Sequence, residues 1–270
     1  MQERRTLLLF SKGVAYMSDW FTIEIIDTDT YAISEYSHWE ETHCYLLCGT
    51  HAALLIDTGL GVGNIKDVVT SLTTLPVMVT TTHVHWDHIG GHRYFEYFSV
   101  HQEETSWIKG NFPLSLDVVK RNLLEHACVF PSGFHPDQYQ IFSGNPTTIL
   151  QDQDHIDIGN RCVTVIHTPG HSPGHCCFYE EARQYLFSGD LIYQGCLDAF
   201  YPTTDPQQFF QSVAKISHLH VTRVLPAHHN LDIPVSLINS IYRGFADLNN
   251  KGILKHGTGF FEFGDFQIHI

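Results

Sequence analysis

Short apolar segments separated by turn-forming residues recur along the chain, and they predict a protein rich in strands. The segments contain many β-branched and aromatic side chains, which favour strands over helices. The predicted strands span residues 21–26, 44–47, 53–56, 76–82, 97–101, 161–167, 175–179, 184–187 and 223–225. Two further segments, 260–263 and 266–270, predict a final hairpin around Gly264 and Asp265.

Four segments between these strands have the periodicity of helices. In the first of them, Ile65, Val68, Val69 and Leu72 share one face, because residues three or four apart lie above one another on a helix. The predicted helices span residues 61–72, 115–126, 206–218 and 234–250. Both halves of the chain run through strands, a helix and a strand, which predicts two stacked sheets with helices outside. No linker, repeat or low-complexity segment interrupts residues 1–270, so we expect a single domain.

Residues 102–145 differ from the rest of the chain. The segment contains several prolines and aromatic residues, among them Trp107, Phe112, Phe130 and Phe134. It is long for a plain connector, which is the alternative interpretation. We interpret it as an insertion between the two halves that forms a wall or lid of a pocket.

Composition and charge narrow the range of functions. Apolar residues make up 43% of the 270 residues, which is typical of a soluble globular protein. Fifteen Lys and Arg face 29 Asp and Glu, and the formal net charge of −14 would repel a nucleic acid. No apolar run approaches the ~18 residues that a membrane span requires. The seven cysteines are scattered without a C-x-x-C pair, which is typical of reduced thiols in a cytoplasmic protein.

The chain contains 20 histidines, and the segment from His83 to His88 concentrates four candidate metal ligands. In His83-Val-His85-Trp-Asp87-His88, the first two histidines point to one side if the preceding strand continues through them. Asp87 and His88 then follow in a turn. A catalytic zinc ion binds three protein ligands and keeps one position open. This short segment alone offers four ligands, three imidazoles and a carboxylate. The segment therefore predicts two metal ions.

Further candidate ligands follow three later strands, each beside glycine or proline. They are His171 in Thr-Pro-Gly-His171-Ser-Pro-Gly-His175, Asp190 in Phe-Ser-Gly-Asp190, and His228 in Leu-Pro-Ala-His228-His229-Asn. Glycine and proline at such places let the backbone approach an ion and fix the direction of the side chain. We expect His175 and His229 to lie near the pocket rather than to bind metal, with His229 as the alternative to His228.

Taken in order, these motifs resemble those of the metallo-β-lactamase-fold hydrolase superfamily. The shared pattern runs from about residue 43 to 230 and consists of a strand with Asp57-Thr-Gly, His83-x-His85-x-Asp87-His88, His171 after Pro-Gly, Ser-Gly-Asp190 and Pro-Ala-His228. Ala227 departs from the glycine that is usual in the last motif. The resemblance implies an α+β fold, a four-layer αββα sandwich of two mixed β-sheets flanked by helices.

The resemblance also implies a role for each of these residues. It implies that His83, His85 and His171 bind one metal ion, that Asp87, His88 and His228 bind a second, and that Asp190 bridges the two. Asp57 would orient a ligand histidine. The implied cofactors are two zinc ions, with iron or manganese as alternatives.

The implied reaction is hydrolysis at a carbonyl carbon. Two metal ions lower the pKa of a bridging water, and the resulting hydroxide attacks the carbonyl. Asp87 would pass a proton to the leaving group. Tyr193 would stabilise the oxyanion, since lactonases that resemble this sequence carry a tyrosine at the same offset from the bridging aspartate. The alternative for Tyr193 is a tyrosine packed at the end of a strand.

Within the superfamily, the chain looks most similar to the MBLAC2-like acyl-CoA thioesterases. The similarity rests on residues 56–61, 149–152 and 188–195. It implies a small-molecule substrate with a thioester or ester bond. A lactonase acting on acyl-homoserine lactones is the first alternative and rests mainly on Tyr193, and a non-enzymatic metal-binding protein is the second. The oligomeric state is left open, with a homodimer among the alternatives.

Overall fold

The computed structural model describes residues 6–10, 13–17 and 19–270. Within this part of the chain, the first sheet contains nine strands in the order of the sequence. They are β1 (Thr6–Phe10), β2 (Gly13–Met17), β3 (Thr22–Asp27), β4 (Thr30–Ser34), β5 (His43–Cys48), β6 (Ala53–Ile56), β7 (Val77–Thr80), β8 (Phe98–His101) and β9 (Thr148–Leu150). Neighbouring strands are antiparallel from β1 to β6 and parallel from β6 to β9.

The second sheet contains five strands from the C-terminal half of the chain. They are β10 (His155–Asp157), β11 (Cys162–His167), β12 (Cys176–Glu180), β13 (Tyr185–Gly189) and, at the edge beside β13, β15 (Arg223–Pro226). The pairs are antiparallel except for β13 and β15, which are parallel. Both sheets are therefore mixed, as the resemblance implied.

A third, three-stranded sheet was not predicted from the sequence. It consists of β14 (Cys196–Asp198), β16 (Phe260–Glu262) and β17 (Gln267–His269). The antiparallel pair β16 and β17 confirms the predicted final hairpin, and β14 lies parallel to β17. A strand as short as β14 shows no recognisable alternation of apolar and polar residues, which explains why it was missed.

Five α-helices accompany the sheets in the described residues. They are α1 (Ile65–Leu72), α2 (Trp86–Ile89), α3 (Leu116–Leu123), α4 (Pro206–Ser217) and α5 (Ser236–Asn250). The four predicted helices are present with shifted ends, and α1 begins later than predicted because Asn64 caps it by accepting a hydrogen bond from Lys66 N. Among the described residues, none of the helices combines the length and the apolar character needed to traverse a bilayer.

The packing of the apolar side chains confirms the four-layer αββα sandwich. Between the two sheets, Tyr45 and Ile56 of the first sheet lie in one buried cluster with Val163, Phe178 and Phe187 of the second. Helices α1 and α3 contribute to the cluster on the outer face of the first sheet. Helices α4 and α5 contribute to the cluster on the outer face of the second sheet. Each sheet is thus covered on both faces, one face by helices and the other by the opposite sheet.

The predicted strand 76–82 is shorter in the structure and ends at Thr80. Thr81 and Thr82 turn towards Asp57, whose Oδ1 accepts hydrogen bonds from Thr81 Oγ1 at 2.9 Å and from Thr82 N at 2.7 Å. A loop rather than a strand therefore carries His83 and His85. Their ring centroids nevertheless lie only 4.3 Å apart.

The insertion 102–145 packs largely against the outer face of the first sheet. Phe130 stacks on Trp20 with ring centroids 5.9 Å apart, and the Tyr139 hydroxyl donates to the Leu60 carbonyl at 3.0 Å. The insertion is therefore part of the outer layer, in addition to the wall that the sequence suggests.

Candidate metal centre

The candidate ligands lie in segments that follow strands at one end of the sandwich. His83 to His88 follow β7, His171 follows β11, Asp190 follows β13 and His228 follows β15. A backbone bridge between Thr42 and His228 joins the two sheets at this end. The structure brings all seven predicted ligands together here, in groups whose donor atoms lie within 4.8 Å of one another.

The first donor group consists of His83, His85 and His171. His85 Nδ1 lies 2.9 Å from His83 Nε2 and 3.0 Å from His171 Nε2. His83 and His171 are buried. Three ring nitrogens thus converge on one point, which is the arrangement that three histidine ligands of one metal ion require.

The second donor group consists of Asp87, His88 and His228, all of them buried. Asp87 Oδ2 lies 3.3 Å from His88 Nε2 and 3.5 Å from His228 Nε2. The two histidine nitrogens are 3.3 Å apart. Asp87 and His88 reach this point because the chain turns into α2 directly after His85, and the His88 ring stays 4.1 Å from that of His83 in the first group.

Asp190 lies between the two groups. Its Oδ2 is 3.3 Å from both His171 Nε2 and His228 Nε2, and its Oδ1 is 3.3 Å from His88 Nε2. The carboxylate is buried, and Oδ1 has no hydrogen-bond partner. A buried carboxylate oxygen without a partner is costly, and a metal ion bound beside it would satisfy it.

Hydrogen bonds at the far side of the rings determine which nitrogen faces the centre. Four of the five histidines donate Nδ1–H to an acceptor outside it. The acceptors are Thr82 Oγ1 for His83 (3.0 Å), Asp57 Oδ2 for His88 (3.0 Å), the Asp198 carbonyl for His171 (3.3 Å) and the Glu40 carbonyl for His228 (2.8 Å). In each of these rings, Nε2 is left to bind a metal ion. Imidazole and carboxylate donors in this number fit two divalent cations of the zinc type.

Electrostatics distinguish the two donor groups in the metal-free protein. Burial, followed by neighbouring histidines, lowers the pKa of His83 well below its usual value and that of His85 to about 3. Burial also acts against the charged form of His88 and His228. The nearby carboxylates, Asp190 among them, favour the charged form more strongly than burial opposes it. The pKa of His88 therefore lies well above its usual value, and that of His228 rises to about 9. His83 and His85 are therefore neutral at pH 7, whereas His88 and His228 retain protons.

Two residues near the centre, the buried Glu104 and the half-buried Glu40, were not singled out from the sequence. Glu104 accepts hydrogen bonds from Val84 N, from Ser172 Oγ and, at 3.0 Å, from Gly174 N. Glu40 contributes its backbone carbonyl to His228. A single glutamate far from the ligand motifs, or a backbone carbonyl, carries no recognisable signal in one sequence.

His175 and His229 differ in their surroundings. His175 is buried, and its Nε2 accepts a hydrogen bond from Asp190 N at 3.1 Å. His229 Nδ1 lies 3.2 Å from Glu41 Oε2, and about a third of its side chain, 35%, is exposed. His175 thus supports the backbone of a candidate ligand, whereas His229 lies towards the surface.

Tyr193 is buried beside the second donor group. Its ring centroid is 5.7 Å from that of His228, and its hydroxyl donates a hydrogen bond to the Cys196 carbonyl. A hydroxyl has one proton to donate, so this bond competes with any hydrogen bond to an oxyanion. The oxyanion role suggested by the sequence stays a prediction.

Two aromatic residues of the insertion lie beside the first donor group. The rings of Trp107 and Phe112 are each 6.2 Å from the His85 ring and 6.2 Å from one another. Trp107 stacks nearly parallel to the imidazole, at an interplanar angle of 12°. They form an apolar wall at the centre, and we call this pair the aromatic wall.

Comparison with known proteins assigns the family. The model of the Metallo-beta-lactamase superfamily matches residues 39–228, which include all seven candidate ligands. The chain belongs to the metallo-β-lactamase superfamily. A solved metallo-β-lactamase from Pontibacter korlensis has a similar fold, with a TM-score of 0.62 and 16% identity, and the likeness covers 84% of this chain and 99% of the other.

Curated relatives of this superfamily member include an acyl-coenzyme A thioesterase and a hydroxyacylglutathione hydrolase. The human acyl-coenzyme A thioesterase MBLAC2 is 31% identical over 237 residues, which cover 78% of this chain and 82% of the relative. A hydroxyacylglutathione hydrolase from Salmonella typhi is 27% identical over 190 residues, covering 66% of this chain and 61% of the relative. The protein is thus similar to metal-dependent hydrolases of its superfamily.

Proposed function

We propose that this superfamily member hydrolyses acyl-CoA thioesters at a centre of two divalent metal ions. The observation that carries the proposal is the position of Asp190 between two complete donor groups, with Oδ2 3.3 Å from both His171 Nε2 and His228 Nε2. One fold supports many reactions, so the substrate class rests on a different argument. That argument is the similarity to the human acyl-coenzyme A thioesterase, at 31% identity over 78% of the chain.

Two divalent ions polarise a carbonyl group and lower the pKa of a water molecule when they are bound side by side. The residues of the chain hold and orient the centre. Asp57 and the Glu40 carbonyl fix the rings of His88 and His228 through Nδ1. Asp87 Oδ2 lies 3.3 Å from His88 Nε2, inside the centre, where its carboxylate can accept a proton and pass it to the departing sulfur.

We propose zinc as the metal, since imidazoles and carboxylates are its usual ligands together with thiolates. The five histidines and two aspartates of the two groups meet this description. Iron and manganese are the alternatives, because mixed histidine and carboxylate sites also accept them. Elemental analysis of protein purified without added metal distinguishes the three.

The aromatic wall supports an acyl chain as the group next to the centre. Trp107 and Phe112 are half-buried, so each still exposes apolar surface beside His85. Covering apolar surface contributes roughly 25 cal/mol per Å². A long acyl chain can cover this wall, whereas an acetyl group is too short to do so.

The proposal is tested by assaying palmitoyl-CoA, acetyl-CoA and an acyl-homoserine lactone in parallel. We expect cleavage of palmitoyl-CoA, and we expect Trp107→Ala to raise the KM for palmitoyl-CoA by about tenfold while changing that for acetyl-CoA little. Tyr97→Ala is the matched control, because Tyr97 is 60% exposed and precedes β8, at the end opposite the centre. Lactone opening without thioester cleavage would favour the lactonase instead. Two bound metals with neither activity would favour a metal-binding protein.

A further inference from the structure

We propose that Glu104 is a positioning residue that holds the two ligand-bearing loops of the first donor group together. The proposal rests on the metal centre proposed above. Glu104 is fully buried, at 0% exposure, in a short helical turn that follows β8. It lies outside the segments that supply the ligands, and its carboxylate touches both loops that do.

The hydrogen bonds of Glu104 divide between these loops. Oε2 accepts a hydrogen bond from the backbone N–H of Val84, the residue between His83 and His85. Oε1 accepts from Ser172 Oγ and, at 3.0 Å, from Gly174 N, in the loop that follows His171. One carboxylate thus connects the three histidines of the first donor group through their own backbone segments.

The absence of a side chain at Gly174 allows the loop to pack closely against Glu104. A Cβ atom at this position would lie 2.8 Å from Glu104 Cγ, which is too close for any other residue without a shift. The same two segments are also joined by a backbone hydrogen bond from Cys176 N to Thr82 O at 2.7 Å. The loops therefore remain attached when the carboxylate is altered, and the effect of Glu104 can be measured in a folded protein.

Glu104→Gln is the most specific perturbation. A glutamine has the same size but only one acceptor oxygen, so one of its ends presents N–H groups to a backbone or hydroxyl donor. It cannot hold Val84 N on one side and Gly174 N on the other. Residues that support metal ligands in this way typically change metal affinity by about 10–100-fold when they are replaced.

The experiment measures the affinity of metal-free protein for zinc by competition with a chromophoric chelator. We expect the wild-type protein to bind two ions, and Glu104→Gln to bind one of them about 10–100-fold more weakly while the other is unchanged. Glu180→Gln is the matched control. Glu180 is equally buried, but its carboxylate pairs with Arg161 at 2.6 Å, at the other end of β12.

Double variants show which ion is affected. His228→Ala removes a ligand of the second group, so the one ion that this variant still binds lies in the first group. In this background, Glu104→Gln should weaken the affinity for that ion. His171→Ala removes a ligand of the first group, and Glu104→Gln should then have no effect on the ion that remains. Opposite results in the two backgrounds, or unchanged binding of both ions in Glu104→Gln, would overturn the proposed role.

A second variant keeps the test valid if Glu104→Gln does not fold. Gly174→Ala retains every hydrogen-bonding group and displaces Glu104 by contact alone. It should weaken the same ion, and normal binding of both ions in this variant would contradict the proposal. If the wild-type protein itself binds fewer than two ions, the metal centre fails rather than the role of Glu104.

Discussion

His88 Nδ1 lies 3.0 Å from Asp57 Oδ2, and both side chains are buried. The carboxylate also accepts hydrogen bonds from Thr81 Oγ1, Thr82 N and Thr82 Oγ1. A carboxylate oxygen accepts hydrogen bonds, so His88 donates to it through Nδ1–H. The pair therefore fixes the ring with Nε2 facing the centre, and it links the end of β6 to the second donor group.

Asp57→Asn should weaken binding of one metal ion by about 10–100-fold. The asparagine NH2 group facing His88 would favour the other ring tautomer, which places a proton on Nε2. Asn tolerates the positive φ of 61° at this position, so the backbone need not change. Chelator competition gives the affinity, and nitrogen NMR of the metal-free protein, at a pH above the raised pKa of His88, gives the tautomer. An unchanged tautomer together with unchanged affinity would contradict this explanation.

The two metal ions should differ in the number of protons that their binding releases. At pH 7 the metal-free protein holds protons on His88 and His228, where the carboxylates Asp87, Asp190 and Glu40 more than offset burial in raising the pKa values, that of His228 to about 9. In the first group the pKa values of His83 and His85 are lowered by burial and by neighbouring histidines, so these rings are already neutral. Ligands must lose their protons to bind.

The zinc ion that binds the first group should therefore release fewer protons than the zinc ion that binds the second, which should release about two, from His88 and His228. The affinity of the second group should fall as the pH falls below the raised pKa values, since protons then compete better. Calorimetry at pH 7 in buffers of different ionisation enthalpy counts the protons. His228→Ala should reduce the total by about one, and equal release for both equivalents would contradict the assignment.

Gly189→Ala should disturb the centre through Asp190. A Cβ at Gly189 would lie 2.5 Å from His175 Nε2, the atom that accepts the hydrogen bond from Asp190 N. Overpacking of this kind costs about 1–3 kcal/mol of unfolding free energy, and it should also weaken metal binding. Gly252→Ala is the control, because Gly252 has a similar φ of +70° with nothing within 4 Å of its Cβ position. Denaturant unfolding and metal affinity together should separate the two variants, and equal effects would rule out crowding as the cause.

Tyr193→Phe tests whether the tyrosine hydroxyl takes part in the reaction. The hydroxyl donates to the Cys196 carbonyl, so we expect kcat for an acyl-CoA substrate to fall by less than about tenfold. Removal of a donor that stabilises an oxyanion costs about 10²–10³-fold in kcat. A loss of that size would show that the hydroxyl leaves Cys196 during the reaction and would support the role suggested by the sequence.

The ligand motifs are the part of the site that the sequence predicts well. Their side chains have chemically distinctive types and regular spacing, and the structure brings His83 and His171 together although they are 88 positions apart in the numbering. The supporting contacts are harder to predict. Glu104 and the carbonyls of Glu40 and Asp198 act through tertiary contacts that leave no local pattern.

The same distinction applies to the fold. Strands with a continuous apolar run, such as Ala53–Ile56, are predicted with correct ends. The three-residue strand Cys196–Asp198 is missed, because its pairing with the C-terminal segment depends on residues far away in the chain. The early end of β7 at Thr80 has a similar cause, since the distant Asp57 turns the chain there.

The most direct test of the account measures palmitoyl-CoA hydrolysis and metal content in the same samples of wild-type protein and Asp190→Asn. Asparagine keeps the shape of the side chain and removes the charge that both donor groups share. We expect two metal ions per chain and thioester cleavage in the wild type, and fewer than two ions with at least about a hundredfold lower kcat/KM in the variant. A wild-type protein that holds two metal ions without cleaving the thioester, or a variant that retains full activity, would contradict the account.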